Sequence, residues 1–220
     1  LVGIITHDDI IDVVREEATE DAHRIAAVDP LQVGYLSTSL LTLSWKRGVW
    51  LIVLFIGALL TAFALERYES DFESFPWLVM FIPLVISSGG NSGSQSATLI
   101  ITGMSTGDIK LRDWLRVVGR ELAMGMILGS GLGLIGFIAA YFMRSGEASP
   151  LREALVIPGT LLLVVISGTL LGSLLPLTFK RIGLDPALMS NPFVAGIIDI
   201  LGIIIYMSVA SMLLPGLSGS

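Results

Sequence analysis

From Trp45 onward the chain alternates long apolar stretches with short charged ones. Five of these stretches approach or exceed the roughly 20 residues that a helix needs to cross a hydrocarbon core, and they run approximately over 48–65, 77–102, 121–142, 155–179 and 186–214. The second and fifth are the least oily. The pattern predicts an all-α polytopic membrane protein with five transmembrane helices. Ahead of them lies a different kind of segment. Leu1-Val2-Gly3-Ile4-Ile5 is apolar but too short for a membrane span or a signal sequence, and it reads as the last strand of a preceding domain. Thr6 or Asp8 can then cap a helix that carries Ile10, Ile11, Val13 and Val14, turns polar through Glu20 and continues towards Val28. Asp29-Pro30 ends it. The organisation expected is an end-of-domain remnant and acidic helix over 1–29, a linker over 30–47, a five-helix membrane domain over 48–214, and an expression-derived tail over 215–220.

Composition sharpens this picture. The 220 residues are 53% hydrophobic and 15% charged, well below the charge of about a quarter usual for soluble domains. Of 19 acidic residues, eight fall in the first 30 positions against two of the 13 basic ones, which leaves 11 of each in the remainder. The net charge of −6 therefore belongs to the N-terminal arm, and no basic footprint for nucleic acid exists. With no cysteine, disulfides and thiolate chemistry are excluded. Basic residues orient the spans: Lys46 and Arg47, then Lys110, Arg112, Arg116 and Arg120, then Lys180 and Arg181 fall on one side. The positive-inside rule places the N-terminus and its acidic arm in the cytoplasm and the C-terminus outside, in a multi-pass plasma or inner membrane protein.

Asp199 is the sharpest candidate for chemistry, because it is the one acid embedded in the fifth span, between Ile197-Ile198 and Ile200-Leu201. A carboxylate at that depth costs roughly 3 kcal/mol or more unless it meets water, a partner or a cation. Asn191, Ala195, Asp199, Gly202 and Tyr206 follow at helical spacing as one polar or small-residue stripe, as a water-lined groove would. The alternative is a structural aspartate bonded to a neighbouring helix. Ser87-Ser88-Gly89-Gly90-Asn91-Ser92-Gly93-Ser94-Gln95-Ser96, after Pro83, is the second candidate. It can break the helix and expose carbonyls to a cavity, or it can let helices approach closely through Gly89-x-x-x-Gly93. Gly125, Gly129 and Gly133, and Gly168 with Gly172, read as packing. One carboxylate per chain suits a hydrated Mg²⁺, which keeps its waters, and a homodimer brings two copies of Asp199 to the two-fold axis.

These residues resemble the MgtE family of magnesium channels or transporters. The resemblance covers nearly all of the chain to about residue 213, and is carried by Gly89-Gly90-Asn91-Ser92-Gly93-Ser94-Gln95-Ser96-Ala97-Thr98 and by Asp185-Pro186-Ala187 leading to Ser190-Asn191-Pro192 and Asp199. It implies a homodimer with the pore between the second and fifth helices of both subunits. Asp199 then falls on the central selectivity carboxylate for hydrated Mg²⁺, and Ala195 on a backbone carbonyl that helps hold its waters. Asn91, Gly89 and Gly90 match the pore-lining motif, and Asn191 the cytoplasmic Asn-Pro. The first ten residues look like the end of a CBS domain. The acidic helix after it corresponds to a plug over the pore, on which Asp9, Asp12, Glu17, Glu20 and Asp21 align with acids that sense cytosolic Mg²⁺. Clustered carboxylates repel one another and bound divalent cations relieve that repulsion. With the partner acids of the N-terminal and CBS domains outside this sequence, gating by magnesium is expected to be weakened or lost.

The function expected is passage of hydrated Mg²⁺ down its electrochemical gradient. A competing reading is an ion-coupled carrier for another divalent cation, since a one-carboxylate site discriminates by size and water geometry. An intramembrane enzyme is disfavoured, because His7 and His23 both lie in the arm and no second aspartate shares the spans.

Overall fold

The computed structural model describes residues 3, 6–31, 34–144 and 150–217, and among them all regular structure is helical. The strand expected over Leu1–Ile5 falls outside the described residues except for Gly3. The first helix, α1 (His7–Ile25), is capped by Thr6: its hydroxyl accepts from the Asp9 amide at 3.4 Å, and the Asp9 carboxylate accepts from the Thr6 amide at 2.7 Å. This reciprocal box decides between Thr6 and Asp8 as the cap. The Thr6 hydroxyl donates to the Asp9 carboxylate at 2.6 Å, which is the main reason its carboxyl sits below the usual value. The helix stops at Ile25, short of Val28, because Ala27 turns left-handed (φ 58°) and the Val28 amide folds back onto the His23 carbonyl at 2.9 Å.

Three helices have membrane-span length and hydropathy over most of their course: α2 (Leu40–Glu66), α5 (Trp114–Met143) and α7 (Val156–Arg181). A fourth, α8 (Asn191–Leu213), shares both properties and is more apolar than α5, so the fifth span is not among the least oily as expected. Ser39 caps α2 through the Thr42 amide at 3.2 Å, so that helix begins well before residue 48. Helix α4 (Trp77–Ser105) is 29 residues long and carries no charged side chain, yet its middle, Ser87–Ser96, dilutes its hydropathy below that of the other four. Short helices α3 (Glu69–Ser74) and α6 (Pro150–Ala154) lie in the connections. Single 3₁₀ turns, Leu111–Asp113 and Pro186–Leu188, precede α5 and α8.

The interior is built on α4, α7 and α8. At one end of the bundle Leu78, Val85, Ile157, Val164, Ile203 and Tyr206 form the larger core, and at the other Ala97, Ile101, Val194 and Ile198 form a second. Leu217, in the segment expected to be a tail, joins the larger core at 8% exposure. Helix α5 lies against α7, and α2 lies against α8 with Leu51, Ile52, Phe55 and Ile56 exposed. Helices with outward apolar faces of this kind fit a lipid surrounding better than water.

Helix α4 runs unbroken through its polar motif, so of the two readings of that motif the helix break is absent. The glycines instead set a close crossing: a Cβ added at Gly168 would lie 2.6 Å from the Gly89 carbonyl oxygen, and one at Gly172 would overlap the backbone of Gly93. On the other side of α7, Cβ atoms at Gly125 and Gly129 would meet the Cα atoms of Ile166 and Leu162 at 2.9 and 3.0 Å. Small residues at four-residue spacing allow this backbone-to-backbone approach.

Candidate ion site

Asp199 stands just past the second turn of α8, half-buried, with apolar neighbours on either side in sequence. Among the described residues its carboxylate has no hydrogen-bond or ion-pair partner. The structural aspartate bonded to a neighbouring helix is therefore not what the fold contains. Gly90 of α4 comes close to the carboxylate: a Cβ on Gly90 would lie 3.6 Å from Asp199 Oδ1 and 3.4 Å from the Ala195 Cβ. Glycine at 90 thus lets α4 pass close to the carboxylate and to Ala195, one turn before it.

The neighbouring glycine has another part. Gly89 is buried, and a Cβ there would collide with Val164 at 2.5 Å and Ile198 at 2.7 Å, so its open side faces the packing between α7 and α8. Asn91 is exposed and donates to the Ser87 hydroxyl at 3.2 Å. Further along α4, Asn91, Ser94, Gln95 and Thr98 line an open groove of about 530 Å³ that Asn191 closes at the start of α8. Asn191 joins the two helices through three contacts. Its amide donates to the Thr98 hydroxyl at 3.0 Å, its side-chain oxygen lies 3.2 Å from the same hydroxyl, and its carbonyl accepts from Ser94 at 3.2 Å. From Asn191 to Asp199 is about 12 Å along the helix axis.

The stripe predicted on α8 divides at this point. Asn191, Ala195 and Asp199 are partly accessible, whereas Gly202 is buried and Tyr206 is fully buried, its hydroxyl donating to the Leu78 carbonyl at 3.0 Å. Tyr206 is a core residue, because a phenol anchored to a buried carbonyl is a stable way to fill that volume.

The sequence reading missed Glu121. It sits two turns inside α5 as a second acid at the helix bundle, accepts from the buried Ser96 hydroxyl at 2.6 Å, and its carbonyl accepts from Thr169 at 3.1 Å. Its position at the expected boundary of the third span concealed it. Ser96 lies on the face of α4 away from the groove, so Glu121 ties the back of the motif helix to α5.

The acidic arm is docked just ahead of the start of α8. Arg24 bridges Glu20 of its own helix and Asp185, and Asp185 also accepts from the Ala187 amide at 2.9 Å, capping the turn before α8. Asp21 accepts from Ser105 at the end of α4 at 2.9 Å. Glu17, Glu20 and Asp21 line a cleft of about 760 Å³ between α1 and the ends of α4 and α7. Asp9 and Asp12 lie outside that cleft, and Asp12 is 3.9 Å from Arg15. Among the described residues no three histidine, cysteine or acidic side chains are grouped as a metal site within one chain.

The chain matches the family model described as MgtE, divalent cation transporter, over residues 82–209, more than half its length. It is 40% identical over 214 residues to the magnesium transporter MgtE of Thermus thermophilus, an alignment covering 97% of this chain and 46% of that protein. It is 33% identical over 212 residues to the magnesium transporter MgtE of Enterococcus faecalis, covering 96% and 45%, and 29% identical over 217 residues to that of Bacillus subtilis, covering 99% and 47%. The chain spans about half the length of these curated relatives. The matched segment contains α4 from Ile82 onward, all of α5 and α7, and α8 as far as Val209, including the groove and Asp199. With that, the chain belongs to the MgtE family of divalent cation transporters, a family of transporters and not of enzymes.

Proposed function

We propose that the chain is the membrane part of a magnesium channel that passes hydrated Mg²⁺ down its electrochemical gradient. The observation that carries this reading is the half-buried carboxylate of Asp199, left without a partner among the described residues and approached closely by Gly90 of α4. An intramembrane carboxylate without a partner calls for a cation or water. Mg²⁺ releases its waters reluctantly, so one carboxylate with nearby carbonyls suits the hydrated ion. The relatives' printed activity is magnesium transport.

Helix α4 is the fifth crossing. Its 29 residues span about 44 Å, and it packs against two helices of span hydropathy, which cover one face of its polar middle and leave Asn91 and Gln95 exposed at the groove. The positive connections place the N-terminus in the cytoplasm and the C-terminus outside. Two chains form a homodimer, because one Asp199 per chain makes a paired site only across a two-fold axis. The groove of Asn91, Ser94, Gln95, Thr98 and Asn191 leads towards that site. The arm acts as the plug: Arg24, Asp185, Asp21 and Ser105 hold α1 across the ends of α4 and α8, and Mg²⁺ bound by Glu17, Glu20 and Asp21 would hold it there. Asp9 and Asp12 would join such a site only with carboxylates from another domain.

The test is magnesium current through the purified chain in a planar bilayer. Wild type conducts along the Mg²⁺ gradient without a second ion, and Asp199→Ala and Asp199→Asn abolish the current while the dimer persists on gel filtration. Wild-type current from Asp199→Ala would sink the site assignment. Flux that needs a coupling ion would move the chain to the carrier class.

A further inference from the structure

A groove at the end of the bundle that bears the cationic connections has no part in the transport reading. It lies between the 3₁₀ turn and start of α5 and the last two turns of α7, and encloses about 350 Å³. Leu111, Leu174 and the buried Leu177 give it an apolar wall, while Arg112, Arg181 and Trp114 are exposed around it. The Thr178 hydroxyl, which also lines it, already donates to the Leu174 carbonyl at 2.8 Å.

Among the described residues neither Arg112 nor Arg181 is ion-paired. Four carboxylates of the same end are committed elsewhere. Asp113 accepts from the Lys110 amide at 3.0 Å, Glu121 from Ser96 at 2.6 Å, Asp108 from Thr106 at 3.3 Å, and Asp185 pairs with Arg24. Arg181 by itself complements the carbonyl end of α7, as Lys180 does. Arg112 has no such account, because it lies at the amide end of α5, where a cation is disfavoured unless an anion accompanies it.

We propose that this groove binds an anionic phospholipid, with the phosphate between Arg112 and Arg181 and an acyl chain along Leu174 and Leu177. Guanidinium groups match phosphate oxygens with paired hydrogen bonds. Basic pockets between membrane helices on the cytoplasmic side have this chemistry, and Trp114 stands where the interface would be. A free phosphate would gain nothing from the leucine wall, and that favours lipid as the occupant. The inference requires that α5 and α7 cross a membrane and is independent of whether the chain conducts ions.

The experiment is native mass spectrometry of the detergent-purified full chain, titrated with phosphatidylglycerol, phosphatidylcholine and inorganic phosphate. Wild type retains phosphatidylglycerol in preference to phosphatidylcholine. Replacing both arginines, Arg112→Gln with Arg181→Gln, weakens phosphatidylglycerol binding by about thirtyfold, the effect of removing two surface-lying cations. Arg116→Gln, which changes an exposed cation of α5 outside the groove, leaves it unchanged. All the substituted side chains are exposed, so each variant keeps its thermal midpoint, and the single arginine variants repeat the test if the double one does not. Equal retention by the double variant, or an equal loss with Arg116→Gln, overturns the proposal. Displacement of phosphatidylglycerol by millimolar phosphate would overturn it as well, by making the groove a site for anions rather than lipid.

Discussion

The crossing of α4 and α7 gives the most direct test of how the motif helix is held. In Gly168→Ala the new methyl would lie 2.6 Å from the Gly89 carbonyl oxygen and 3.3 Å from the Gly93 amide nitrogen, and ordinary contact begins near 3.4 Å. The obstacle is main chain on a rigid helix, so it cannot rotate away as a side chain would. Relief needs a separation of about 0.8 Å, and a gap of that size forfeits a quarter to a half of the dispersion well for atom pairs along the seam. Together with the strain of overpacking, this costs about 2–3 kcal/mol. A helical chain of this length loses about 2–4 °C of thermal midpoint per kcal/mol, so the midpoint in detergent should fall by roughly 4–12 °C. The control is Gly131→Ala in α5, where an added Cβ meets nothing within 4 Å. Alanine there is neutral or slightly favourable through helix propensity. Displacing α4 also moves Gly90 relative to Asp199, so magnesium current falls in Gly168→Ala and not in Gly131→Ala. An unchanged midpoint for Gly168→Ala, or equal losses for both variants, would refute this account of the crossing.

Three further outcomes follow from individual contacts. Tyr206→Phe removes the hydrogen bond to the Leu78 carbonyl and costs about 1 kcal/mol, a midpoint shift of roughly 2–4 °C; current is retained, whereas a tyrosine lining the ion path would lower it. Arg24→Gln frees α1 from Asp185 and removes the pair with Glu20 inside the helix. All three side chains are about one-third exposed, so the loss is limited to about 1 kcal/mol and amide exchange in the last turn of α1 accelerates roughly fivefold; unchanged exchange would mean that the Asp21–Ser105 contact alone holds the arm. The capping box titrates with a defined sign. Asp9 lies below its ordinary value, so its support of α1 is complete above the ordinary carboxylate range and is lost as pH falls through the lowered value. In Thr6→Ala the carbon-13 titration of the Asp9 carboxyl should move upward; an identical midpoint would remove Thr6 as the cause.

Asp199, Asn191, the small-residue motif over 87–96 and the acidic arm could all be recognised before any coordinates, because each violates the expectation for its surroundings. A lone acid in an isoleucine run and ten small or polar residues inside a span are costly in lipid, and the cost is visible in one dimension. The Asn191–Thr98 link was within reach for the same reason. Glu121 was not, because an acid near a span boundary is ordinary until Ser96 is found bonded to it. Of the two readings of the motif, close packing is the one the fold uses, whereas the aqueous face expected as far as Tyr206 was wrong. Periodicity assigns residues to one side of a helix without saying what stands there.

The sequence by itself determined the helical class, the approximate places of the long helices though not their ends, the uneven charge and the one acid inside the last span, since these depend on local composition and on a 3.6-residue repeat. Tertiary structure decided the direction in which each small residue is used. Gly89 and Gly90 are adjacent and chemically identical, yet a rotation of about 100° around α4 turns one into the core against Val164 and Ile198 and the other towards Asp199. It also decided that Asp199 finds no partner among the described residues, that Tyr206 finds the Leu78 carbonyl, and that Arg112 and Arg181 line one groove from opposite ends of two helices. Those outcomes depend on which surfaces other helices cover, and coverage is a property of the packed bundle.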